Sequence, residues 1–251
     1  MEENHIKRLD YTFGVDLQEH FAAVSKHFSS ETIVAGFHPY GELKHTWTRH
    51  GGYLEFRISD YLRGSPDAVF ESLAWYLLSR VYERRCESER SRRYLVHAFS
   101  PQLWAPKRDL YLSRQKNLTC DPRGEARNLD EVFRYVNSYY FSGKVCDPIL
   151  AWSRESPRTR LGFYFAPLGL LAANKVLDAE RVPRYVLEFV MYHELLHEID
   201  RGQGAIGPKR VHHTRSFRQQ EKAFSHYDDA ELWLHRLVRE ARKRQGVVPQ
   251  V

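Results

Sequence analysis

The chain is poor in cysteine and contains no long apolar run. Its 251 residues include only Cys86, Cys120 and Cys146, and no two of them form a C-x-x-C pair. This spacing excludes a disulfide framework and a cysteine-based structural zinc site. No segment approaches the ~18 uninterrupted apolar residues of a membrane span. The sequence therefore predicts no membrane partner.

The amino-terminal residues lack the pattern of a secretory signal. Residues 1–8 are mostly charged or polar, and no apolar stretch follows a basic start. Scattered cysteines without such a signal favour a reducing compartment, so we expect a cytoplasmic protein. Hydrophobic residues make up 42% and aromatic residues 14% of the chain, which indicates a packed core and excludes a disordered protein.

Basic residues cluster in two stretches, 80–93 and 236–244, in a chain whose net charge is +6. Glutamates are interleaved with the arginines in both stretches, which is typical of a solvated helix face with i,i+4 ion pairs. We favour that interpretation. The alternative is a surface for a polyanion, which makes DNA a second partner class beside protein. The pattern predicts nothing about oligomeric state.

The most informative segment is His193-Glu194-Leu-Leu-His197, which lies within the apolar stretch 186–199. On a helix, residues four apart share a face, so His193 and His197 can hold one metal ion. Glu194 can then serve as general base for a metal-activated water. Pro183 can begin the helix. Because this helix is apolar nearly all round, we expect it to be buried, where its polar residues need a partner such as a metal.

The motif needs a third ligand, because catalytic zinc usually has three protein ligands and one open position. The glycine-rich segment 201–208 predicts a loop that reverses the chain. His212 and His213 follow it, at the front of a second predicted helix. Glu221 and His226 are rivals farther along. The residues alone leave this choice open.

Other polar residues near the motif have weaker cases. Asp200 could orient a ligand imidazole, but we favour a helix-end surface carboxylate. A side-chain donor commonly stabilises the oxyanion of acyl transfer. The candidates for that role, which the sequence cannot rank, are Tyr227, His226, His212 and Arg215.

The region before the motif predicts a separate α+β domain. Extended segments are expected at 32–37 and 53–58, and one long helix at 66–89. Proline and glycine near 121–124 indicate a connection. We therefore predict an amino-terminal α+β region over 1–125, of unknown role, and a catalytic domain over 126–251.

The segment that begins at Pro66 echoes the one that begins at Pro183. Aligning the two prolines puts Tyr76 and Arg80 where His193 and His197 stand. One interpretation is a degenerate repeat of the catalytic half that has no metal. The other, which we favour slightly, is two ordinary strand–helix units that share a proline start. Either way, one metal centre is predicted.

The chain from about Asn128 to Phe224 resembles the SprT-like zinc metallopeptidases, the family that includes Spartan. The resemblance depends on the order and spacing of several segments, of which the H-E-x-x-H motif is the specific one. The matching segments are an opening helix at 129–143, Trp152 with 160–164 and then 170–174 in a small sheet, the metal helix at 193–197, and a third-ligand element at 213–217.

This resemblance implies an α+β, zincin-like fold in which the metal helix packs on a small sheet. It implies Zn²⁺ held by His193, His197 and His213, with Glu194 as general base. His213 is favoured over His212 because Phe217 follows it at the family's spacing of four. The chain departs from some members in having no cysteine-rich ribbon, and residues 1–125 match no family. The resemblance therefore does not carry over Spartan's action on DNA-crosslinked proteins.

The function predicted on these grounds is zinc-dependent hydrolysis of peptide bonds in a protein or peptide substrate. An extended substrate could add to the sheet edge around 161–171. One alternative is a zinc-stabilised module that binds DNA or protein and hydrolyses nothing. Another is a metal hydrolase that acts on a non-peptide amide.

Overall fold

The fold is α+β, with small mixed sheets and helices that divide between two compact units. The computed structural model describes residues 17–85, 88–154, 160–201 and 213–244, with backbone alone for 88, 200, 201 and 241–244. The described part of the first unit ends at Arg114, and the second unit begins at Gln115. The division thus precedes the expected 125/126 boundary, because a strand at Leu118–Thr119 pairs within the sheet of the second unit.

The first unit consists of a mixed sheet with helices before and after it. Its strands are β1 (Thr32–His38), β2 (Thr46–His50) and β3 (Tyr53–Ser59). They pair in the order β1-β3-β2, with β1 parallel and β2 antiparallel to β3. Strand β3 alternates buried Leu54, Phe56 and Ile58 with Glu55 and Arg57, as the period of a half-buried strand requires. The helices are α1 (Leu17–Ser25), α2 (Asp67–Val81), α3 (Ser88–Ala98), α4 (Pro101–Trp104) and α5 (Arg108–Arg114).

The single long helix predicted after Pro66 is wrong, because the chain breaks it into α2 and α3. Glu83 has a left-handed φ of 51°. The amide of Arg84 donates a hydrogen bond to the carbonyl of Ser79 at 2.8 Å. The amide of Glu83 donates one to the carbonyl of Arg80 at 3.4 Å. This is the Schellman arrangement, which satisfies the last carbonyls of a helix. The glutamate takes a position that usually holds glycine, so the sequence carries no signal for the break.

The second unit contains the H-E-x-x-H motif. Its strands are β4 (Leu118–Thr119), β5 (Ile149–Ser153), β6 (Gly162–Phe165) and β7 (Leu170–Asn174). They pair in the order β4-β5-β7-β6, so β6 is an edge strand. Strand β5 runs parallel to β7, and β6 runs antiparallel to β7. The helices are α6 (Leu129–Phe141), α7 (Arg184–Arg201), α8 (Arg215–Glu221) and α9 (Tyr227–Arg244).

The core of the second unit lies between one face of its sheet and the helices. Leu150, Trp152, Leu171 and Ala173 belong to the same buried cluster as the apolar residues of α6 and α7. Helix α7 contacts β6, β7, α6, α8 and α9, which makes it the central helix of the unit. Among the described residues, no helix is both long and apolar enough to cross a bilayer.

Candidate metal centre

Helix α7 holds His193, Glu194 and His197 in fixed positions. Residues around its circumference are completely buried, including Val186, Leu187, Met191 and Leu195. Both histidines are half-buried on the face that α8 covers. Tight packing leaves the side chains of this helix few available rotamers. Because residues four apart lie on the same face of a helix, the two imidazoles project toward the same region of space.

His213 approaches this face from the start of α8. Thr214 caps that helix, and its hydroxyl accepts a hydrogen bond from the amide of Phe217 at 3.0 Å. The capped turn sets the direction in which the chain enters α8. His213, one residue before the cap, is therefore directed against α7 rather than outward like a loop side chain.

The three imidazoles converge. One ring nitrogen of each histidine, a possible metal ligand, lies within 4.8 Å of those of the other two. The rings of His193 and His197 are 5.0 Å apart at 88°, those of His193 and His213 are 4.9 Å apart at 90°, and those of His197 and His213 are 5.2 Å apart at 19°. Histidine, cysteine, aspartate and glutamate are the side chains that commonly bind metals. Among those in the described part of the chain, these three histidines form the group whose ligand atoms lie close enough together to hold one ion.

Phe217 is the apolar support of all three rings. It is 1% exposed. Its ring stacks on His213 at 4.4 Å and on His197 at 4.7 Å, and meets His193 edge-on at 5.3 Å. Contact with a buried, rigid side chain restricts the imidazole planes before any ion binds. The resemblance includes Phe217, but the sequence does not indicate that one phenylalanine contacts all three histidines.

Glu221, which the sequence offers as a rival third ligand, contacts His193 of the triad instead. Its Oε1 accepts a hydrogen bond from Nδ1 of His193 at 2.6 Å. Burial lowers the pKa of His193, but this hydrogen bond and nearby carboxylates outweigh burial and raise it. Burial raises the pKa of Glu221, and the three histidines lower it overall. An ionised carboxylate only accepts, so Nδ1 carries the proton and Nε2 is the nitrogen left for a metal.

Glu194 lies next to the triad and is buried. The residue is 8% exposed. Burial raises its pKa, although the charges of His193 and Arg160 and a backbone hydrogen bond from Tyr164 act to lower it. A carboxylate with a raised pKa accepts a proton more readily than an ordinary surface glutamate does.

Strand β6 runs against Glu194 at Gly162. A Cβ atom on Gly162 would lie 2.7 Å from Cγ1 of Val190 and 3.1 Å from Oε1 of Glu194. Glycine therefore permits the close approach of strand and helix at this point. The sequence predicts Gly162 within the small sheet, but no pattern in it indicates this close approach to Glu194.

The remaining sequence candidates are distributed differently. The ring of His226 lies 5.1 Å from that of Tyr185, and His226 does not belong to the converging group. Tyr227 packs 5.6 Å from Phe189, and burial and the charges of Glu231, Glu221 and Asp228 raise its pKa. Arg215 is exposed on the first turn of α8. His212 and the side chain of Asp200 lie outside the described residues.

The donor set of the site suits zinc. Three imidazoles are a ligand set typical of catalytic zinc, with one coordination position left for water or substrate. Their convergence and the adjacent Glu194 are properties of this chain's own geometry. No protein-family model, curated protein or solved structure matches the chain, so that geometry and the residues are what a functional assignment rests on.

Proposed function

We propose that this protein is a zinc-dependent peptidase. His193, His197 and His213 would hold the ion, and Glu194 would act as general base. The observation that carries the proposal is the convergence of three imidazole nitrogens within 4.8 Å beside a buried carboxylate. A purely structural site would use a fourth protein ligand and would have no need of that carboxylate.

The chemistry follows from the groups present. Zinc bound by His193, His197 and His213 would serve as a Lewis acid, which would polarise the scissile carbonyl and lower the pKa of water toward about 7. Glu194 removes the proton from the attacking water and later delivers it to the departing amine. Burial raises its pKa above that of an ordinary glutamate, which favours the first of these steps, acceptance of the proton.

An extended peptide is the substrate that the surroundings fit best. Strand β6 is the edge of its sheet, and Gly162 brings it against Glu194. A peptide that added to this edge through backbone hydrogen bonds would pass beside the general base. This arrangement favours a peptide bond over a small non-peptide amide.

The finer architecture that we propose is a zincin-like catalytic unit and a degenerate repeat of it. Both units contain a helix, three strands and a second helix, with the same strand order and the same parallel and antiparallel pairs. Three elements of the second unit begin 117 positions after their counterparts, as the residue pairs Thr32 and Ile149, Tyr53 and Leu170, and Asp67 and Arg184 show.

The shared spacing favours duplication over two unrelated strand–helix units. At the same offset, Tyr76 and Arg80 stand in place of His193 and His197, and Arg80 donates to the Tyr76 hydroxyl at 2.7 Å. This tyrosine–arginine pair supplies no metal ligand, so the proposal includes one metal centre.

The second candidate is a module that binds DNA or protein without hydrolysis. It is favoured by exposed arginines of α2, α3 and the turn between them, several of which lie over aromatic rings, such as Arg90 over Trp75 at 4.2 Å. A gel-shift assay with a salt titration tests the nucleic-acid part, since phosphate contacts weaken steeply with salt. A cytoplasmic location, proposed from the three scattered cysteines, suits both candidates.

The deciding experiment combines metal analysis with a hydrolysis assay on the full chain. We expect one zinc per protein, hydrolysis of an unstructured protein substrate, and loss of both in His213→Ala. Purified protein that binds no zinc when it is supplied would refute the proposal. Stoichiometric zinc without hydrolysis of any peptide library would favour the binding module.

A further inference from the structure

Helix α8 contacts the candidate metal site at both of its ends. His213 precedes its cap, and Glu221 is its last residue. The hydroxyl of Tyr192 on α7 donates to the carbonyl of Gln220 at 2.7 Å, which ties the end of α8 to the metal helix. Phe217 in its middle stacks on two of the imidazoles. The position of Glu221 is therefore set by the same element that delivers the third imidazole.

We propose that Glu221 is a positioning residue, which accepts the Nδ1 proton of His193 and so fixes the imidazole with Nε2 toward the ion. This inference rests on the proposed metal site. In this role Glu221 binds the imidazole of His193 and does not coordinate the ion. A carboxylate in that role holds one tautomer and one ring orientation, and it raises the basicity of the ligand.

The contact has the features of an orienting bond. The distance from Oε1 to Nδ1 is 2.6 Å, at the short end for a charge-assisted hydrogen bond. The side chain of Glu221 is 13% exposed, and that of His193 is 23% exposed, so water competes poorly for either partner. The carboxylate of Glu221 is not one of the ligand groups that converge within 4.8 Å, which are the imidazoles of His193, His197 and His213.

His193 is the ligand for which such support matters most. His197 and His213 both stack flat on Phe217, at interplanar angles of 23° and 12°. His193 meets the same ring edge-on at 78°, so stacking does not define its rotation. The Glu221 hydrogen bond supplies the missing constraint on that ring.

Zinc affinity of the purified full chain tests this role independently of activity. Competition with a chromophoric chelator would give the dissociation constant of the wild type and of Glu221→Ala and Glu221→Gln. Removing an outer partner of a ligand typically weakens binding about 10- to 100-fold, and we expect that loss for Glu221→Ala. Glu221→Gln should lose less, because its amide oxygen can still accept from Nδ1.

Glu231→Gln is the matched control for charge. The Glu231 carboxylate pairs with His235 at 3.7 Å and acts on His193 through its charge. We expect its zinc affinity to stay within about threefold of the wild type, as for a surface charge screened by solvent. An equal loss in Glu231→Gln and Glu221→Gln would mean that charge alone matters, and it would overturn the positioning role.

The absorption spectrum of the cobalt-substituted protein separates positioning from ligation. If Glu221 orients His193, Glu221→Gln keeps the coordination number of the wild type. A change in coordination number would identify Glu221 as a ligand and refute the inference. Wild-type affinity in Glu221→Ala, with folding verified by circular dichroism, would also refute it.

The two proposals fail separately. Zinc binding without peptide hydrolysis by the wild type would refute the peptidase while leaving the role of Glu221 in place. Hydrolysis by the wild type, with undiminished zinc affinity in both Glu221 variants, would refute the role of Glu221 alone.

Discussion

Gly162 and Glu194 lie so close across the strand–helix interface of the second unit that no side chain fits on the glycine without displacing its neighbours. The position that a Cβ atom would take on Gly162 is 3.1 Å from Oε1 and 3.2 Å from Cγ of the glutamate. The edge strand thus forms one wall of the space available to the proposed general base. That space exists only because Gly162 has no Cβ atom.

Gly162→Ala should reduce hydrolysis while leaving zinc in place. The new methyl group would push on Val190 and Glu194, and a misplacement of about 1 Å can cost on the order of 100-fold in rate. The measurement is kcat/KM together with zinc stoichiometry. Gly51→Ala is the control, since a Cβ there meets nothing within 4 Å. Wild-type kcat/KM in Gly162→Ala would mean that the strand does not hold the carboxylate.

Glu194→Gln should keep zinc and lose activity. The amide has nearly the shape of the carboxylate but cannot accept the proton, and general acid–base catalysis contributes about 100- to 10,000-fold. Zinc content and kcat are measured on the same sample. The control is Glu198→Gln, an exposed glutamate of the same helix. If activity survived in Glu194→Gln, another group would have to be the base.

Phe217→Leu should lower the zinc affinity more than a comparable core substitution that lowers the unfolding free energy by the same amount. The leucine keeps most of the apolar burial but removes the ring that contacts all three histidines. Phe224→Leu is a matched control, because Phe224 is 3% exposed and packs on Tyr140 and Phe189 in the same core.

The two phenylalanine variants should lose similar unfolding free energy, about 1–2 kcal/mol each, from altered packing and lost aromatic contacts. Chemical denaturation of metal-free protein measures that loss, and chelator competition measures the zinc affinity. Equal zinc affinity in the two variants would contradict the idea that Phe217 supports the ligands.

The first unit should lose stability in mild acid through His45. Burial lowers the pKa of His45 to about 4. Its Nδ1 accepts from the Ser59 amide at 3.1 Å, and Nε2 lies 2.9 Å from the Tyr94 hydroxyl. Between the unfolded pKa of about 6.5 and the folded value, the unfolded chain binds the extra proton, so stability falls as pH falls.

The loss from His45 should reach about 3 kcal/mol once the pH has dropped from 7 to 4. Denaturant titrations at several pH values measure it. His45→Gln should flatten that part of the pH dependence, and the exposed His27→Gln should leave it unchanged. An identical slope in the wild type and His45→Gln would show that other groups carry the acid sensitivity.

Much of the fold follows from local patterns. The strands expected at 32–37 and 53–58 are present to within one residue at each end. The helix expected after Pro183 begins at Arg184. These elements have strong periodicity and clear starts, so their own residues specify them. The break after α2 had no such signal, since a glutamate rather than a glycine takes the left-handed position.

The boundary between the units was harder to predict because it depends on a distant pairing. Proline and glycine at 121–124 indicate a turn, and turns occur within units as well as between them. The pairing of β4 with β5, between residues 33 and 35 positions apart, assigns the segment around β4 to the second unit. No local pattern in a two-residue strand could indicate this partner.

By itself, the sequence determined that His193 and His197 share one face of a buried helix with Glu194 beside them, because helical spacing is a local property. Only the tertiary structure decided what the side chains after that helix do. It brought His213 to the two imidazoles and Glu221 to the outer nitrogen of His193, 28 residues away. The physical reason is that α8 folds back over α7, and the direction of that return depends on packing around Phe217 rather than on residue spacing.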